Sequence, residues 1–311
     1  MKIMITGGAG FIGSHLCDEF VGKNNDVIVL TRKITSLTRI SHLLDKLTLE
    51  IADVTNYDDI GRIIEKHRPE VIIHLAGETS HSKSFEDPLY DLDVNTKSTL
   101  YILEKIKQLN LKCRFILGST FIVVGKPLEL PVTEQSVCNP TTIYGANRLA
   151  SEVYCKIYQN VYGIDTVVFR ITNSFGPREQ FIPGKNAINF LIYKAFKKES
   201  IPIFDKGNFF KDVVYVSDVV SAIKTIMEKG KSGEVYWISS GNKMWFYELG
   251  SWLEDLTGAK VQYVESPQYT KKTDVGNFVV DNSKLRSLGW NIQTSVKDGI
   301  KKTLDYFTTL T

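Results

Sequence analysis

The sequence predicts an α/β protein built on a doubly wound parallel sheet, followed by a smaller C-terminal α+β lobe. Three observations predict this fold. Short β-branched segments alternate with helical segments through the first half of the chain, several of these segments are almost continuously apolar, and a glycine-rich turn follows the first one. Strands that alternate with helices form parallel sheets, and strands buried on both faces carry no polar side. The 311 residues are enough for this sheet and a second lobe.

The first half of the chain contains six predicted strands, which span residues 2–6, 26–32, 47–54, 69–77, 113–120 and 166–173. The predicted helices between them cover residues 10–24, 60–66, 94–110 and 144–162. After residue 173 glycine, proline and aromatic residues become frequent, and helical patterns return at 185–200, 217–230 and 244–257. We therefore divide the chain into a first domain (1–173) and a smaller lobe (174–311), some segments of which return to the main sheet.

Composition and charge argue against several classes of protein. The net charge of +3 is spread along the chain, so no basic block indicates nucleic acid or a membrane surface as a partner. No apolar run approaches the length of a membrane span, and the N-terminus runs straight into a strand pattern. The four cysteines are far apart and form no CxxC pair, which argues against disulfides and metal sites. We expect a cytoplasmic protein without metal, nucleic-acid or membrane partners.

Residues 6–16, TGGAGFIGSHL, join the first predicted strand to the first helix. Gly7 allows the tight turn, Gly10 lets the backbone approach a pyrophosphate, and Gly13 permits close contact between helix and strand. The helix N-terminus then offers free N–H donors to the phosphates. In this position the motif predicts a dinucleotide-binding, Rossmann-type domain whose loop residues, including Phe11 and Ile12, contact the cofactor. The alternative is a glycine-rich turn without a ligand.

The end of the second strand normally carries the residue that recognises the adenosine ribose. An acidic residue there binds the 2′-hydroxyl of NAD, whereas a nearby arginine suits the 2′-phosphate of NADP. Here Thr31 stands at that position and Arg32 and Lys33 follow. We expect NAD, and these three residues leave NADP open, since Arg32 and Lys33 could also be solvated loop residues.

Further short motifs follow the glycine loop in one order. They are ADV at 52–54, HLAG at 74–77, Asn95, GST at 118–120, YGANR at 144–148, RITNSFGPREQ at 170–180, DVVYVSDVV at 212–220 and FVVDNSKLRSLGW at 278–290. Together they resemble the extended short-chain dehydrogenases/reductases, the NAD-dependent epimerase/dehydratase family that acts on nucleotide sugars. The resemblance covers nearly the whole chain. It is specific for the superfamily and much less specific for any one reaction.

This resemblance implies a set of cofactor contacts. Asp53 and Val54 would hold the adenine ring. The residues that would line the rest of the dinucleotide are Leu75, Ala76, Gly77, Asn95 and Ile171.

The resemblance also implies a catalytic set. Thr120 and Tyr144 would meet at the sugar hydroxyl that reacts, with Tyr144 as the base, and Arg148 takes the place of a lysine that binds the nicotinamide ribose. Free tyrosine ionises near pH 10, too high for a base at neutral pH. A cation about 6 Å away stabilises a tyrosinate by roughly 3 kcal/mol at an effective dielectric of about 20. Arginine keeps this charge but differs from lysine in shape, and a surface or structural arginine is the alternative.

One departure from the family pattern narrows the reaction. The 4,6-dehydratases of this family carry Asp-Glu directly after the catalytic threonine, whereas here Phe121 and Ile122 follow Thr120 and cannot transfer protons. We therefore expect a nucleotide-sugar 4-epimerase, with an NAD(P)-dependent 4-dehydrogenase or 4-ketoreductase as the alternative. A non-catalytic dinucleotide-binding protein is the rival from another class, but it would need neither Thr120 nor Tyr144.

The nucleotide-sugar substrate would lie against the smaller lobe. Thr79, Ser80 and His81 belong to a loop that touches the sugar in the family, and Asn173 would contact the diphosphate. Lys211 stands where the family has an arginine, and a lysine binds phosphate as a point charge. A later arginine is also absent, and the nearest cations are Lys271 and Lys272. The family dimerises by pairing two helices, so we expect a homodimer formed by residues 94–110 and 144–162.

Overall fold

The centre of the protein is a seven-stranded parallel sheet. The computed structural model describes residues 1–32, 34–179, 186–267 and 273–310, with the side chains of 34–36 left out. The strands of this sheet are β1 (Lys2–Thr6), β2 (Asp26–Thr31), β3 (Thr48–Ile51), β4 (Val71–His74), β5 (Arg114–Thr120), β6 (Thr166–Ile171) and β11 (Val235–Ile238). Their spatial order is β11-β6-β5-β4-β1-β2-β3. The order reverses between β1 and β4, the position at which sheets of this type bind ligands.

Helices cover both faces of the sheet, as a doubly wound fold requires. The helices are α1 (Phe11–Phe20), α2 (Tyr57–His67), α3 (His81–Glu86), α4 (Pro88–Leu92), α5 (Ser98–Gln108), α6 (Ile143–Tyr162), α7 (Ala187–Phe196), α8 (Val216–Lys229), α9 (Phe246–Thr257), α10 (Ser283–Arg286) and α11 (Val296–Thr308). Three 3-10 helices add Ile34–Leu43, Phe121–Val124 and Asp205–Gly207, and a π-helical turn, Asp93–Lys97, joins α4 to α5. One apolar core forms between the sheet and α1 with α8, and another forms between the sheet and α2, α5 and α6. The predicted doubly wound α/β fold is confirmed.

The C-terminal half adds a smaller lobe with its own core. Six short strands form three pairs: β7 (Asn173–Phe175) with β10 (Val213–Tyr215), β8 (Ile201–Phe204) with β13 (Val261–Val264), and β9 (Phe210–Lys211) with β12 (Met244–Trp245). Apolar residues of α7, α9 and α11 pack against these strands. The sequence patterns did not predict α11. They also did not predict β11, which lies beyond residue 173 and supplies the seventh strand of the main sheet.

Local interactions fix α6, the helix that carries the predicted base. The side chain of Thr142 caps its first turn by accepting a hydrogen bond of 3.0 Å from the backbone N–H of Gly145. Glu152, two turns later, forms a buried ion pair with Arg170 of β6, with an Nη2–Oε2 distance of 2.7 Å. Together these contacts hold Tyr144 at the carboxyl edge of the sheet.

Candidate active site

A cavity of about 450 Å³ runs along the carboxyl edge of the main sheet. It brings together the sequence-predicted residues Gly7, Gly10, Phe11, Ile12, Gly13, Thr31, Arg32, Asp53, Val54, Leu75, Ala76, Gly77, Thr79, His81, Thr120, Tyr144, Arg148, Ile171 and Asn173. The predicted residues outside this lining are Ser80, Asn95 and Lys211. Residues of six different strand ends thus converge on one space of the size that holds a cofactor or substrate.

The glycine loop forms one wall of the cavity. Gly7 has a φ of +70°, which favours glycine, and its N–H donates to the carbonyl of Leu30 at 2.8 Å. A side chain on Gly13 would begin 2.4 Å from the carbonyl oxygen of Gly7, so only glycine fits there. The first turn of α1 carries no acidic side chain and its N-cap, Gly10, makes no side-chain cap. The loop therefore offers the free N–H groups and close approach that a dinucleotide pyrophosphate needs.

Two arginines lie where the adenosine end of a dinucleotide is expected. Thr31 is buried at the end of β2, and Arg32 and Arg39 line the cavity beside it. The Arg32 guanidinium donates to the Tyr90 hydroxyl, and Nε of Arg39 donates to the carbonyl of Arg178 at 2.7 Å. Sequence reasoning considered only Thr31, Arg32 and Lys33, and Lys33 lies outside the described residues. Sequence reasoning therefore missed Arg39, which a search for further cations in the segment after β2 could have found.

The predicted catalytic residues meet at the other end of the cavity. Thr120 ends β5, and Tyr144 and Arg148 lie on successive turns of α6. Tyr144 is 6% exposed and Arg148 is 4% exposed, so the surface alternative for this arginine is wrong. Nε and Nη1 of Arg148 are buried and have no hydrogen-bond partner among the described residues. Because an unpaired buried guanidinium is unfavourable, this arrangement fits a ligand oxygen at that position.

Asn95 lies directly behind the cavity wall. A side chain on Gly77 would begin 2.6 Å from Oδ1 of Asn95 and 3.6 Å from Cζ of Arg148, so both groups lie close to Gly77. Nδ2 of Asn95 donates to the carbonyl of Glu78 at 2.9 Å. Asn95 therefore supports the loop after β4 and is not part of the cavity lining, and its contact with the dinucleotide stays a prediction.

His81 sits against the predicted base. Its ring stacks on Tyr144 with a centroid separation of 5.6 Å and an interplanar angle of 21°. Burial lowers the pKa of His81, while the charge of Asp274 acts in the opposite direction. Ser80, in contrast, faces the start of α3, where its hydroxyl accepts a hydrogen bond from the backbone N–H of Lys83. His81 is thus the residue of this loop that contacts Tyr144.

Two other sequence-predicted polar residues are engaged within the protein. Nζ of Lys211 donates to Oδ1 of Asp274 and to the carbonyl of Gly276, each at 2.6 Å. The prediction that Lys211 brings a free charge to the substrate is therefore corrected, because its charge is paired. His74, the first residue of the HLAG motif, is fully buried and its Nδ1 is hydrogen-bonded to the Thr6 hydroxyl at 2.8 Å, so it belongs to the core. Lys271 and Lys272 lie outside the described residues.

Sequence reasoning missed several polar residues of the cavity. These are Thr172, Ser174 and Asn186. Asn186 caps α7 and donates to the carbonyl of Ser174 at 2.7 Å. An asparagine directly before an apolar helical run is an N-cap signal that could have located it.

Within the described residues, no group of three or more His, Cys, Asp or Glu side chains is arranged to hold a metal ion. In the same part of the chain, no helix has both the length and the apolar character needed to cross a membrane.

The sequence profile of the GDP-mannose 4,6-dehydratase family matches residues 4–303. The chain belongs to this family. A provisionally named UDP-glucose 4-epimerase of Methanocaldococcus jannaschii is 32% identical over 304 residues, which is 98% of this chain and 97% of that protein. The dTDP-glucose 4,6-dehydratase 1 of Escherichia coli is 28% identical over 337 residues, 99% of this chain and 92% of the relative.

Solved structures agree with this family assignment. The UDP-glucose 4-epimerase of Thermotoga maritima with UDP-glucose superposes with a TM-score of 0.91 at 30% identity, covering 100% of this chain and 99% of that one. The UDP-glucuronic acid 4-epimerase of Bacillus cereus, in complex with UDP-glucuronic acid and NAD, gives a TM-score of 0.87 at 26% identity, with 100% of both chains covered. The resemblance to extended short-chain dehydrogenases/reductases of the epimerase/dehydratase family is confirmed. Family members that epimerise and family members that dehydrate both match this chain.

Proposed function

We propose that this enzyme is an NAD-dependent nucleotide-sugar 4-epimerase. It would oxidise the C4 hydroxyl of a nucleotide-diphosphate sugar to a 4-keto sugar and return the hydride to the opposite face. The observation that carries the proposal is the convergence of Thr120, Tyr144 and the unpaired guanidinium of Arg148 on the cavity that the glycine loop opens. The Bacillus cereus relative, whose structure contains NAD and a UDP-sugar, supports the choice of cofactor and substrate class.

The residues of this chain divide the chemistry between them. Tyr144 accepts the proton of the sugar hydroxyl as the C4 hydride leaves, and it returns a proton to the same oxygen when the hydride comes back. Thr120 donates a hydrogen bond to that oxygen, and Arg148 stabilises the tyrosinate and bonds the ribose oxygens. A nicotinamide dinucleotide bound along the cavity supplies the hydride acceptor. Bonds and charges balance, since one hydride and one proton leave the alcohol and both return.

The side chains beside Thr120 argue against dehydration. Phe121 and Ile122 begin the 3-10 helix after β5 and line the cavity with apolar surface. Elimination of water between two sugar carbons requires an acid and a base beyond the tyrosine. Neither phenylalanine nor isoleucine can transfer a proton, so the proposed reaction ends at hydride and proton transfer at one carbon.

A second candidate is an NADP-dependent 4-ketoreductase or 4-dehydrogenase that releases its product. Arg32 and Arg39 line the cavity beside Thr31, where an acidic residue would favour NAD. Two cations suit a 2′-phosphate. Such an enzyme would exchange its cofactor in each turnover, whereas an epimerase retains it.

We also propose that the enzyme is a homodimer through α6. Val153, Ile157 and Val161 follow one another at four-residue spacing on this helix and are 50%, 43% and 65% exposed. Residues at this spacing share one helix face. A row of exposed apolar side chains on a long helix is typical of a protein interface.

Mass spectrometry of nucleotides that co-purify with the protein, followed by a panel of nucleotide sugars, tests the proposed function. A 4-epimerase yields an isomer of unchanged mass, and the epimer formed in deuterium oxide carries no deuterium on carbon, because the hydride returns from the cofactor. Release of a keto sugar with matching NADPH or NADH turnover supports the second candidate. A product that is lighter by one water would refute both.

A further inference from the structure

A half-satisfied carboxylate lies buried next to the helix that carries Arg148. Asp91 belongs to α4 and is 1% exposed. Its Oδ1 accepts a hydrogen bond of 2.7 Å from Nδ2 of Asn147, the residue before Arg148. Its Oδ2 is buried and has no hydrogen-bond partner among the described residues. A carboxylate in the interior normally has all its lone pairs satisfied or a cation beside it.

The backbone around Asn147 is held firmly against the helix that follows Asp91. α4 continues into α5 through the π-helical turn Asp93–Lys97, a feature that often marks functional positions. From this turn, the Thr96 hydroxyl donates to the carbonyl of Asn147 at 2.9 Å. In the opposite direction, the hydroxyl of Ser151 on α6 donates to the carbonyl of Asn95 at 2.6 Å. The turn of α6 that ends in Arg148 is therefore held by hydrogen bonds from Thr96 and Ser151 in addition to the Asp91–Asn147 hydrogen bond.

The charges at this position are complementary. The charged groups that face Asp91 are Arg148 from α6 and Glu78 from the segment after β4. Burial raises the pKa of Asp91, while the side-chain amides of Asn147 and Asn95 and the charge of Arg148 lower it. Glu78 already has a cation, Lys83, with an Nζ–Oε2 distance of 3.6 Å. Arg148 is thus the cation that compensates the charge of Asp91. Among the described residues, Asp91 and Arg148 do not form a direct ion pair with each other or with another residue.

We propose that Asp91 is a positioning residue for Arg148: a buried counter-charge that acts through Asn147 and allows an arginine to occupy the ribose-binding position. This rests on the proposed function, which gives Arg148 its role. Arginine cannot lose its proton and must orient a planar fork, so it depends on such support more than lysine does. The carboxylate also reduces the positive potential at the nicotinamide end of the cavity. It should therefore favour the oxidised, cationic nicotinamide ring over the reduced, neutral ring.

The test compares Asp91→Asn with the control Asp218→Asn. Asp218 is equally buried, and its carboxylate accepts hydrogen bonds from the backbone N–H groups of Gln293 and Thr294 at 2.8 and 3.1 Å. Calorimetry of NAD and NADH binding measures the effect without catalysis. Asp91→Asn should weaken NAD binding about tenfold relative to NADH binding. Asp218→Asn should lower stability and leave the NAD-to-NADH ratio unchanged.

A double-mutant cycle with Arg148→Lys tests the pairing itself. Asp91→Asn should weaken NAD binding less in the Arg148→Lys background, because lysine needs less orientation. Equal effects in both backgrounds, or a folded Asp91→Asn protein with the NAD-to-NADH ratio of the parent, would overturn the proposal. If Asp91→Asn does not fold, Asn147→Ser is the alternative variant, because it keeps the charge of Asp91 and removes the hydrogen bond that this carboxylate accepts. Asn147→Ser should weaken binding of both NAD and NADH. Unchanged binding overturns the proposal. A parent protein that binds no nicotinamide nucleotide would instead overturn the proposed function.

Discussion

Replacing Arg148 by methionine removes a buried charge from the helix face that it shares with Tyr144, while a side chain of similar length remains. The two residues are four positions apart in α6 and almost completely buried, so bulk water screens their interaction weakly. Side chains at this spacing lie about 6 Å apart, and a unit charge at that distance contributes roughly 3 kcal/mol at an effective dielectric of about 20. Loss of this stabilisation should slow removal of the hydroxyl proton about a hundredfold at neutral pH.

Single-turnover absorbance of the reduced nicotinamide, recorded after mixing enzyme, NAD and a nucleotide sugar, measures this step. Arg148→Met should be about a hundredfold slower, because the tyrosinate has lost its cation. Arg148→Lys is the matched control, since it keeps the charge and should stay within about tenfold of the parent. An Arg148→Met rate equal to that of the parent, or an Arg148→Lys rate as slow as that of Arg148→Met, would refute the reasoning.

Four further predictions follow from the structure. Gly13→Ala places Cβ 2.4 Å from the Gly7 carbonyl and should weaken NAD binding by about tenfold or more in calorimetry. Burial lowers the pKa of His74 from 6.5 to about 3. Below about pH 6.5, His74 is therefore protonated in the unfolded chain while it stays neutral in the folded chain. The free energy of unfolding should then fall by about 1.4 kcal/mol per pH unit between roughly pH 6 and pH 4 in urea titrations, and His74→Gln should remove this slope. His81→Phe keeps the stack on Tyr144 but loses the ring nitrogens, and should raise KM for the nucleotide sugar severalfold with a smaller effect on kcat. Ile157→Lys should turn a dimer into a monomer in light scattering.

Controls separate these effects from general damage. Gly258→Ala, at a glycine outside the cavity lining with nothing within 4 Å of its Cβ position, should lower stability and leave NAD binding intact. His42→Gln makes the same exchange as His74→Gln at a histidine whose side chain is 49% exposed. An unfolding slope that survives in His74→Gln contradicts the assignment to that residue. A parent protein that is monomeric in light scattering contradicts the dimer, and a His81→Phe enzyme with unchanged KM removes His81 from the substrate site.

The strands and the glycine loop could be predicted because their signals are local. The segment KIMIT reads as a buried strand by itself, and the spacing of Gly7, Gly10 and Gly13 specifies a turn from adjacent residues. The four-residue spacing of Tyr144 and Arg148 likewise placed both on one helix face before any tertiary contact was known. The surroundings of these two side chains depend on the loop after β4. The burial of Arg148 could therefore not be predicted from the helix alone.

Features that depend on distant partners were not predictable in this way. β11 has only four residues, and its place in the main sheet comes from pairing with β6, so that Val235 lies opposite Val168. Lys211 looked like a free cation because Asp274, its partner, is 63 residues away in sequence. Asp91 and Asn147 are separated by 56 residues, and Asp91 belongs to none of the motifs. Such pairs form only when the folded sheet brings their segments together.

The most direct test of the central claim follows the hydride itself. A panel of nucleotide sugars that carry deuterium at C4 is mixed with the enzyme and NAD, quenched within a turnover, and the nicotinamide nucleotides are weighed by mass spectrometry. With at least one sugar, the reduced nucleotide should carry the deuterium, and Tyr144→Phe should abolish its appearance. Deuterium that never reaches the nucleotide, or a Tyr144→Phe enzyme that transfers it as fast as the parent, would contradict the assignment of this cavity as the site of sugar oxidation.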